Sequence, residues 1–172
     1  IALHFHGSRP EAEEAGRAMR SHGAKVLLIE SNLADASQPL SVFAQAHGAF
    51  GDICLLINNA SIFETDSIDT VSAESLDLHH AIHVRAPSLL AKSFAAQKIQ
   101  DGLIVNIIDQ RVWRLNPNFH SYTLSKAALW AATQTLAQAL APRIRVNAIG
   151  PGPTLKNSRQ SDADFQRQQD AL

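Results

Sequence analysis

Cysteine is nearly missing from this chain. Cys54 is the single one in 172 residues, so no disulfide can form within the chain. It sits in the apolar run "ICLLIN" and reads as a small core residue rather than a nucleophile. Long apolar runs are missing too; none approaches the ~20 residues that a membrane-spanning helix needs. An excess of charge of either sign is also lacking. The formal net charge is −1 and the pI is near 6.8, which leaves no basic field for nucleic acid and no polybasic patch for a membrane surface. The opening stretch "IALHFHGSRPEAEEAG" shows no charged start, no long apolar region and no cleavage site. The expectation is therefore a protein without a secretion signal, at work in the cytoplasm. There are no internal repeats, no low-complexity tract and no linker, so one domain over residues 1–172 is the reading. Hydrophobic residues make up 45% of the chain, enough to build a globular core.

Five short apolar runs are present: "IALHFHG" (1–7), "KVLLIES" (25–31), "ICLLINNA" (53–60), "GLIVNII" (102–108) and "RIRVNAIG" (143–150). Most are continuously apolar, as suits strands buried on both faces of a parallel sheet. Helical segments alternate with them. One opens with Pro10 and acids and closes on Gly23. Others cover about 39–50, 74–98 and 120–141, the last stopped by Pro142. This βαβ alternation predicts an α/β fold with a doubly wound parallel sheet in three α/β/α layers. Ligands in such folds bind beyond the carboxyl ends of the strands, which here carry "HGSR", "ESNLAD", "NNASIF", "IIDQR" and "GPGPT".

"SYTLSK" places Tyr122 and Lys126 four residues apart at the start of a helix, on one face. A lysine beside a phenol favours the phenolate and lowers the tyrosine's pKa; a tyrosine tuned this way passes a proton to a carbonyl or imine near neutral pH. Taken alone, the pair is a weak motif. Three neighbours strengthen it. Asp109 ends the preceding strand thirteen residues before Tyr122, "NNA" (58–60) ends another strand in a tight turn, and "NAIGPGPT" follows the Tyr–Lys helix. Asp109 by itself reads either as a turn or N-cap acid or as a site acid. His4 and His6 alternate on one strand face, but no acid or cysteine completes a ligand set, so no metal is expected.

Together these features resemble the short-chain dehydrogenase/reductase superfamily, over most of the chain, from "IALHFHGS" to about Leu155. Within it, the likeness is to the pteridine reductase group and its dihydromonapterin and dihydrofolate reductase relatives. "HFHGS" (4–8) is similar to that group's "HYHRS", "NNASIF" to its NNASxF turn, and Asp109 stands where most of the superfamily has serine. The resemblance implies a Rossmann-type domain and an NADPH-dependent reductase of a pteridine-like substrate. Tyr122 would be the proton donor, Lys126 its partner and a ribose ligand, and Asp109 the holder of Tyr122 or of a relay water. Asn58, Asn59 and Ala60 would line the cofactor, with Ser61 and Phe63 toward substrate and Phe63 either stacking on a flat ring or packing inward. His83 replaces the superfamily's helix asparagine, either taking over its relay role or simply packing. Pro151, Gly152 and Thr154 would complete the cofactor cleft.

Cofactor choice rests on the end of the first run. His6, Ser8 and Arg9 stand where NAD-preferring proteins place an acid, which favours NADP(H) over NAD(H). Ser8 with Glu11 also spells a capping box, and both readings can hold at once, because a helix N-terminus is an anion site. Gly7 replaces the group's arginine, so Arg9 must supply the charge. Asn32, with Leu33, stands at the adenine contact, where aspartate is usual. No TGxxxGxG-like stretch occurs, and no strand follows "SDADFQRQQDAL". The superfamily's first strand, central in its sheet, would precede Ile1. The chain thus reads as part of a domain of about 250 residues, with sheet edges left unpaired. The segments 74–98 and 120–141 are apolar on more than one face, with Ala128, Leu129, Ala132, Leu136 and Leu140 in the second. Helices of this kind need cover on both sides; in the superfamily the cover is a second copy, so a homodimer or homotetramer is expected. Two other readings stay open: a related reductase of another carbonyl or enoyl substrate, and a non-catalytic dinucleotide-binding protein.

Overall fold

The computed structural model of the chain describes residues 1–154, 161–163, 165 and 166. The residues after Gln166, on which the reading of no following strand turns, and the last position of the resemblance, Leu155, lie outside the described residues. All five apolar runs are strands: β1 (Ala2–Phe5), β2 (Leu27–Glu30), β3 (Leu55–Asn58), β4 (Gly102–Ile107) and β5 (Ile144–Ile149). Between them run α1 (Arg9–Ser21), α2 (Gln38–Phe50), α3 (Ala73–His80), α4 (Ala86–Ala95) and α5 (His120–Leu140). The single helix expected over 74–98 is divided. A π-helical turn, Ala81–Arg85, joins α3 to α4.

Every strand pairing is parallel, as the continuously apolar runs require. The sheet is in two pieces, β1-β2 and β3-β4-β5, with no ladder between β1 and β3. This is the gap expected if a central strand is not supplied by these residues. Strand alternation builds the layers. Leu28 of β2 meets α1 at Gly16, where an added Cβ would lie 3.3 Å from the leucine side chain. Ile29, on the opposite face, packs with Val42 and Ala46 of α2, with Leu33 and with Ala86. Under α4 a second core joins Ala91 and Phe94 to Ile104, Ile144 and Val146. There Gly102 is held to hydrogen by space; a Cβ would come within 2.8 Å of Phe94.

β3 shows what an absent neighbour does. Leu56 packs on the second core, while Leu55 and Ile57, on the other face, are 46% and 54% exposed. Cys54 is exposed as well. The core position read from its apolar run is overturned; Cys54 stands just ahead of β3, which pairs only with β4 among the described residues.

Candidate active site

β4 and α5 deliver the chemistry. β4 ends at Ile107, and Asp109 then opens a 3-10 turn, Gln110–Val112. Its Oδ1 accepts the Arg111 backbone N–H at 2.8 Å, which makes it a turn cap. Its Oδ2 accepts the Tyr122 phenol at 2.9 Å, so the same carboxylate also belongs to the Tyr–Lys cluster. A third donor, Arg111 Nη1, reaches Oδ2 at 3.1 Å. One oxygen thus caps the turn and the other binds the Tyr122 phenol.

Tyr122 and Lys126 are buried, 6% and 2% exposed. The lysine Nζ donates to the Ile107 carbonyl at 2.8 Å and lies 5.6 Å from the tyrosine ring centre. Burial, which disfavours its charge, lowers the lysine pKa to about 8 against the pull of Asp109. The expected lowering of the tyrosine pKa by this lysine is not found. The phenol is pushed well up, by burial first and then by the Asp109 charge and hydrogen bond, with only Arg111 acting downward. An anion that accepts the phenol's proton opposes phenolate formation more directly than a lysine bound elsewhere favours it. Tyr122 is thereby held as the protonated acid.

His83 sits in the π turn, 1% exposed. Its Nε2 accepts the Ile62 backbone N–H at 3.3 Å and lies 2.9 Å from Ser61 Oγ. An amide can only donate, so Nε2 carries no proton and Nδ1–H donates to Ser125 Oγ at 2.7 Å. Ser125 in turn donates to the Tyr122 carbonyl at 2.8 Å. Burial, Lys126 and His79 lower the histidine pKa to about 3. His83 therefore ties the "NNASIF" turn to α5 as a neutral link. Its hydrogen bonds go to Ser61, Ile62 and Ser125 rather than to the phenol oxygen or Lys126, and its ring meets the Tyr122 ring edge-on with centres 5.5 Å apart. A π turn is a frequent mark of a functional segment, but sequence carries no signature for it.

Phe63 stacks on Phe119, with ring centres 4.5 Å apart, and meets Tyr122 edge-on at 4.7 Å. Being 37% exposed, it walls the cluster rather than filling the core. Arg111 lies 5.1 Å and 4.8 Å from the centres of the Phe63 and Phe119 rings. Trp113 is 60% exposed and rests edge-on against Trp130. Beyond β5, Pro151 accepts from Gln110 N–H at 3.3 Å, and Gly152 from Thr154 N–H at 2.8 Å, so the "PGPT" turn borders the Asp109 turn.

Asn59, Ala60 and Ser61 are exposed beyond β3. Asn58, the last residue of β3, is not. Its side chain is buried and donates to Asn106 Oδ1 at 2.7 Å, and Asn106 donates to Thr133 at 2.9 Å. Leu33 is likewise spent in packing, 7% exposed in the first core. His6, Ser8, Arg9 and Asn32 lie at the ends of β1 and β2, in the other piece of the sheet. Ser8 is the N-cap of α1 but its side chain makes no cap bond, so the capping box does not form. Arg9 pairs with Glu30 at 2.5 Å and more loosely with Glu13 at 3.9 Å. Asn32 Oδ1 already accepts the Ala34 N–H at 3.0 Å, a local turn that uses the acceptor expected to face adenine. Gly7, in the place of the expected arginine, has φ 74°, a left-handed conformation that glycine alone adopts freely.

Sequence reading missed several participants. Asp66 is buried and accepts the Ser121 N–H at 3.0 Å, the Ser121 hydroxyl, and the Ser75 hydroxyl at 3.2 Å. Burial works against its charge, but the Ser121 and Ser75 bonds outweigh it and hold its pKa low. It caps α5 from fifty-five residues away in sequence. Phe119 and Arg111 were also missed or left open; an aromatic just before a helix start was the available signal for the first.

The sequence matches the enoyl-(acyl carrier protein) reductase family along residues 1–172. The chain belongs to the short-chain dehydrogenase/reductase superfamily. It is 30% identical over 156 residues to the uncharacterized oxidoreductase YjdA of Bacillus subtilis, covering 88% of this chain and 62% of that relative. The chain thus spans about three fifths of that protein's length. Among solved structures it is similar to FolM alternative dihydrofolate reductase 1 from Brucella canis, complexed with NADP. The TM-score is 0.89 and the identity 48%, over 98% of this chain and 67% of that one. The Brucella suis protein, also with NADP, gives a TM-score of 0.90 and 48% identity, over 100% and 70%.

Proposed function

We propose that this chain is the catalytic portion of an NADPH-dependent short-chain reductase acting on a pteridine-like substrate, a dihydropterin or dihydrofolate. The observation that carries the reading is the 2.9 Å bond from Tyr122 to Asp109, in a chain 48% identical to alternative dihydrofolate reductases that bind NADP. The donor set fits a dinucleotide. Lys126 uses one N–H on Ile107 and keeps others for a ribose hydroxyl beside Tyr122. Arg9, His6 and Ser8 present a cation and polar groups at the end of β1, where Arg9 exchanges Glu30 for a phosphate. Asn59, Ala60, Pro151, Gly152 and Thr154 border the cleft, and Asn32 lies at its adenine end. NADPH supplies the hydride when bound. Tyr122 gives the proton to the carbon–nitrogen or carbon–oxygen double bond being reduced, and Asp109 keeps the phenol protonated and aimed. Phe63 and Ser61 face the substrate ring.

The family match to enoyl reductases favours one alternative, a short-chain reductase of another carbonyl or enoyl compound. A cytoplasmic location and a homodimer or homotetramer through the 74–98 and 120–141 helices belong to the same reading. Leu129 of α5 is core, and Leu136 and Leu140 pack on it; the free face instead presents Leu124, 51% exposed, with Ala128, Ala131 and Thr135 beside it. NADPH oxidation by the intact protein with dihydrobiopterin, dihydromonapterin and dihydrofolate tests the substrate. Turnover of at least one is expected, and turnover of none defeats the pteridine reading. Tyr122→Phe should lower turnover by roughly 10²- to 10⁴-fold; full activity in that variant would defeat the mechanism.

A further inference from the structure

The Asp109 carboxylate is held on both oxygens by one residue. Arg111 gives Oδ1 its backbone N–H at 2.8 Å and Oδ2 its Nη1 at 3.1 Å. Tyr122 donates to that same Oδ2. Arg111 is itself fixed, with its guanidinium within 5.1 Å of the centres of Phe63 and Phe119 and its side chain 17% exposed. Without its side chain the carboxylate would keep the Tyr122 bond and the backbone N–H on Oδ1 but lose the charge-assisted bond on Oδ2, and its torsion would be free to shift within the two bonds that remain. A charge-assisted bond from an arginine on a short turn removes that freedom. The same side chain ties the acid to the aromatic wall, so the distance between proton donor and ring-stacking surface is set by one group.

We propose that Arg111 is a positioning residue: it clamps Asp109 onto Tyr122 and fixes both relative to the Phe63–Phe119 wall. This rests on Tyr122 being the proton donor. It acts through Asp109 and needs no contact with substrate. The test is a double-mutant cycle on the intact protein with Arg111→Met, Asp109→Asn and the pair. Arg111→Met should lower kcat about 10-fold, with less than about a twofold further loss when Asp109 is already Asn, since coupled residues are non-additive. Arg111→Lys should recover part of the loss. Equal losses in both backgrounds would show a direct role toward substrate and overturn the clamp.

A second measurement does not depend on turnover. Tyr122 is the only tyrosine in the chain, so the 172-residue chain labelled with ¹³C at tyrosine Cζ gives one signal that reads the phenol's hydrogen bond. Arg111→Met should move that signal toward its position in Asp109→Asn. An unmoved signal overturns the proposal even if no pteridine is reduced, while failure of the substrate assay alone touches only the proposed function.

Discussion

Asp109 shows how one side chain can cap a turn and bind a buried phenol at once, because a carboxylate has two oxygens. The charge it places beside Tyr122 has a measurable consequence. In Asp109→Asn the charge that raises the phenol pKa is gone, so Tyr122 should titrate at lower pH than in the parent chain. Phenolate absorbance reads this directly, since no other tyrosine contributes; an unchanged or higher midpoint would contradict the arrangement. The variant should also lose reductase activity while keeping cofactor affinity. At this scale the sequence was legible where spacing along one element decides the geometry. Tyr122 and Lys126 share a helix, and Asp109 ends the strand next to it. It was not legible for Arg111, Phe119 or the tautomer of His83, which depend on how loops close over one another. The expected lysine effect on Tyr122 failed for the same reason: four residues apart on a helix does not say that Nζ will bond the Ile107 carbonyl instead.

Among the elements, the N-terminus of α5 and the π turn matter most. The N-terminus of α5 is capped by Asp66 from another segment, a device with no local pattern in the sequence. Asp66→Ala should destabilise the chain by about 1–3 kcal/mol through loss of the cap and of buried bonds, seen as a lower urea midpoint. His83 gives the π turn a pH dependence. Its folded pKa, about 3, lies below the ordinary histidine value of about 6.5, so the unfolded chain takes up a proton first. Stability from the neutral link is complete above the unfolded pKa and is lost as pH falls through 6.5 toward 3. Between pH 7 and pH 5 the loss should be about 2 kcal/mol. His4 is shifted the same way, chiefly by burial, so the check is a comparison. His83→Gln should show a smaller fall in urea midpoint over that interval than the parent, and an equal fall would refute the assignment. Strands and helices themselves were legible, since their periods are written in β-rich apolar runs and amphipathic spacing.

The whole molecule carries its open side on β3. Leu55 and Ile57 face solvent on a strand that pairs only with β4 among the described residues. A flat apolar edge is a template for association. Leu55→Lys should therefore reduce self-association of the 172-residue chain by light scattering, with little change in its folded signal. The parallel sheet could be read from the sequence because both-face burial leaves continuous apolar runs. The exposure of Cys54 could not, because hydrophobicity records what a residue prefers to touch, not whether a partner arrives.

The π turn has one more consequence, for which sequence changes the chain can absorb. A π turn holds one residue more than an α-helix would over the same rise, and each residue turns an α-helix by roughly 100°. Deleting any one of Ala81–Arg85 would rewind the segment as a continuous helix. Either α3 or α4 would then have to rotate by that angle. His79 and His83 lie on one side of the extra residue or within it, while Arg85 reaches the Ala34 carbonyl at 2.5 Å from the other. A shortened chain would have to give up one anchor to keep the other. Length variation among homologues should therefore fall in the loops at 64–72 and 113–118 and spare these five positions.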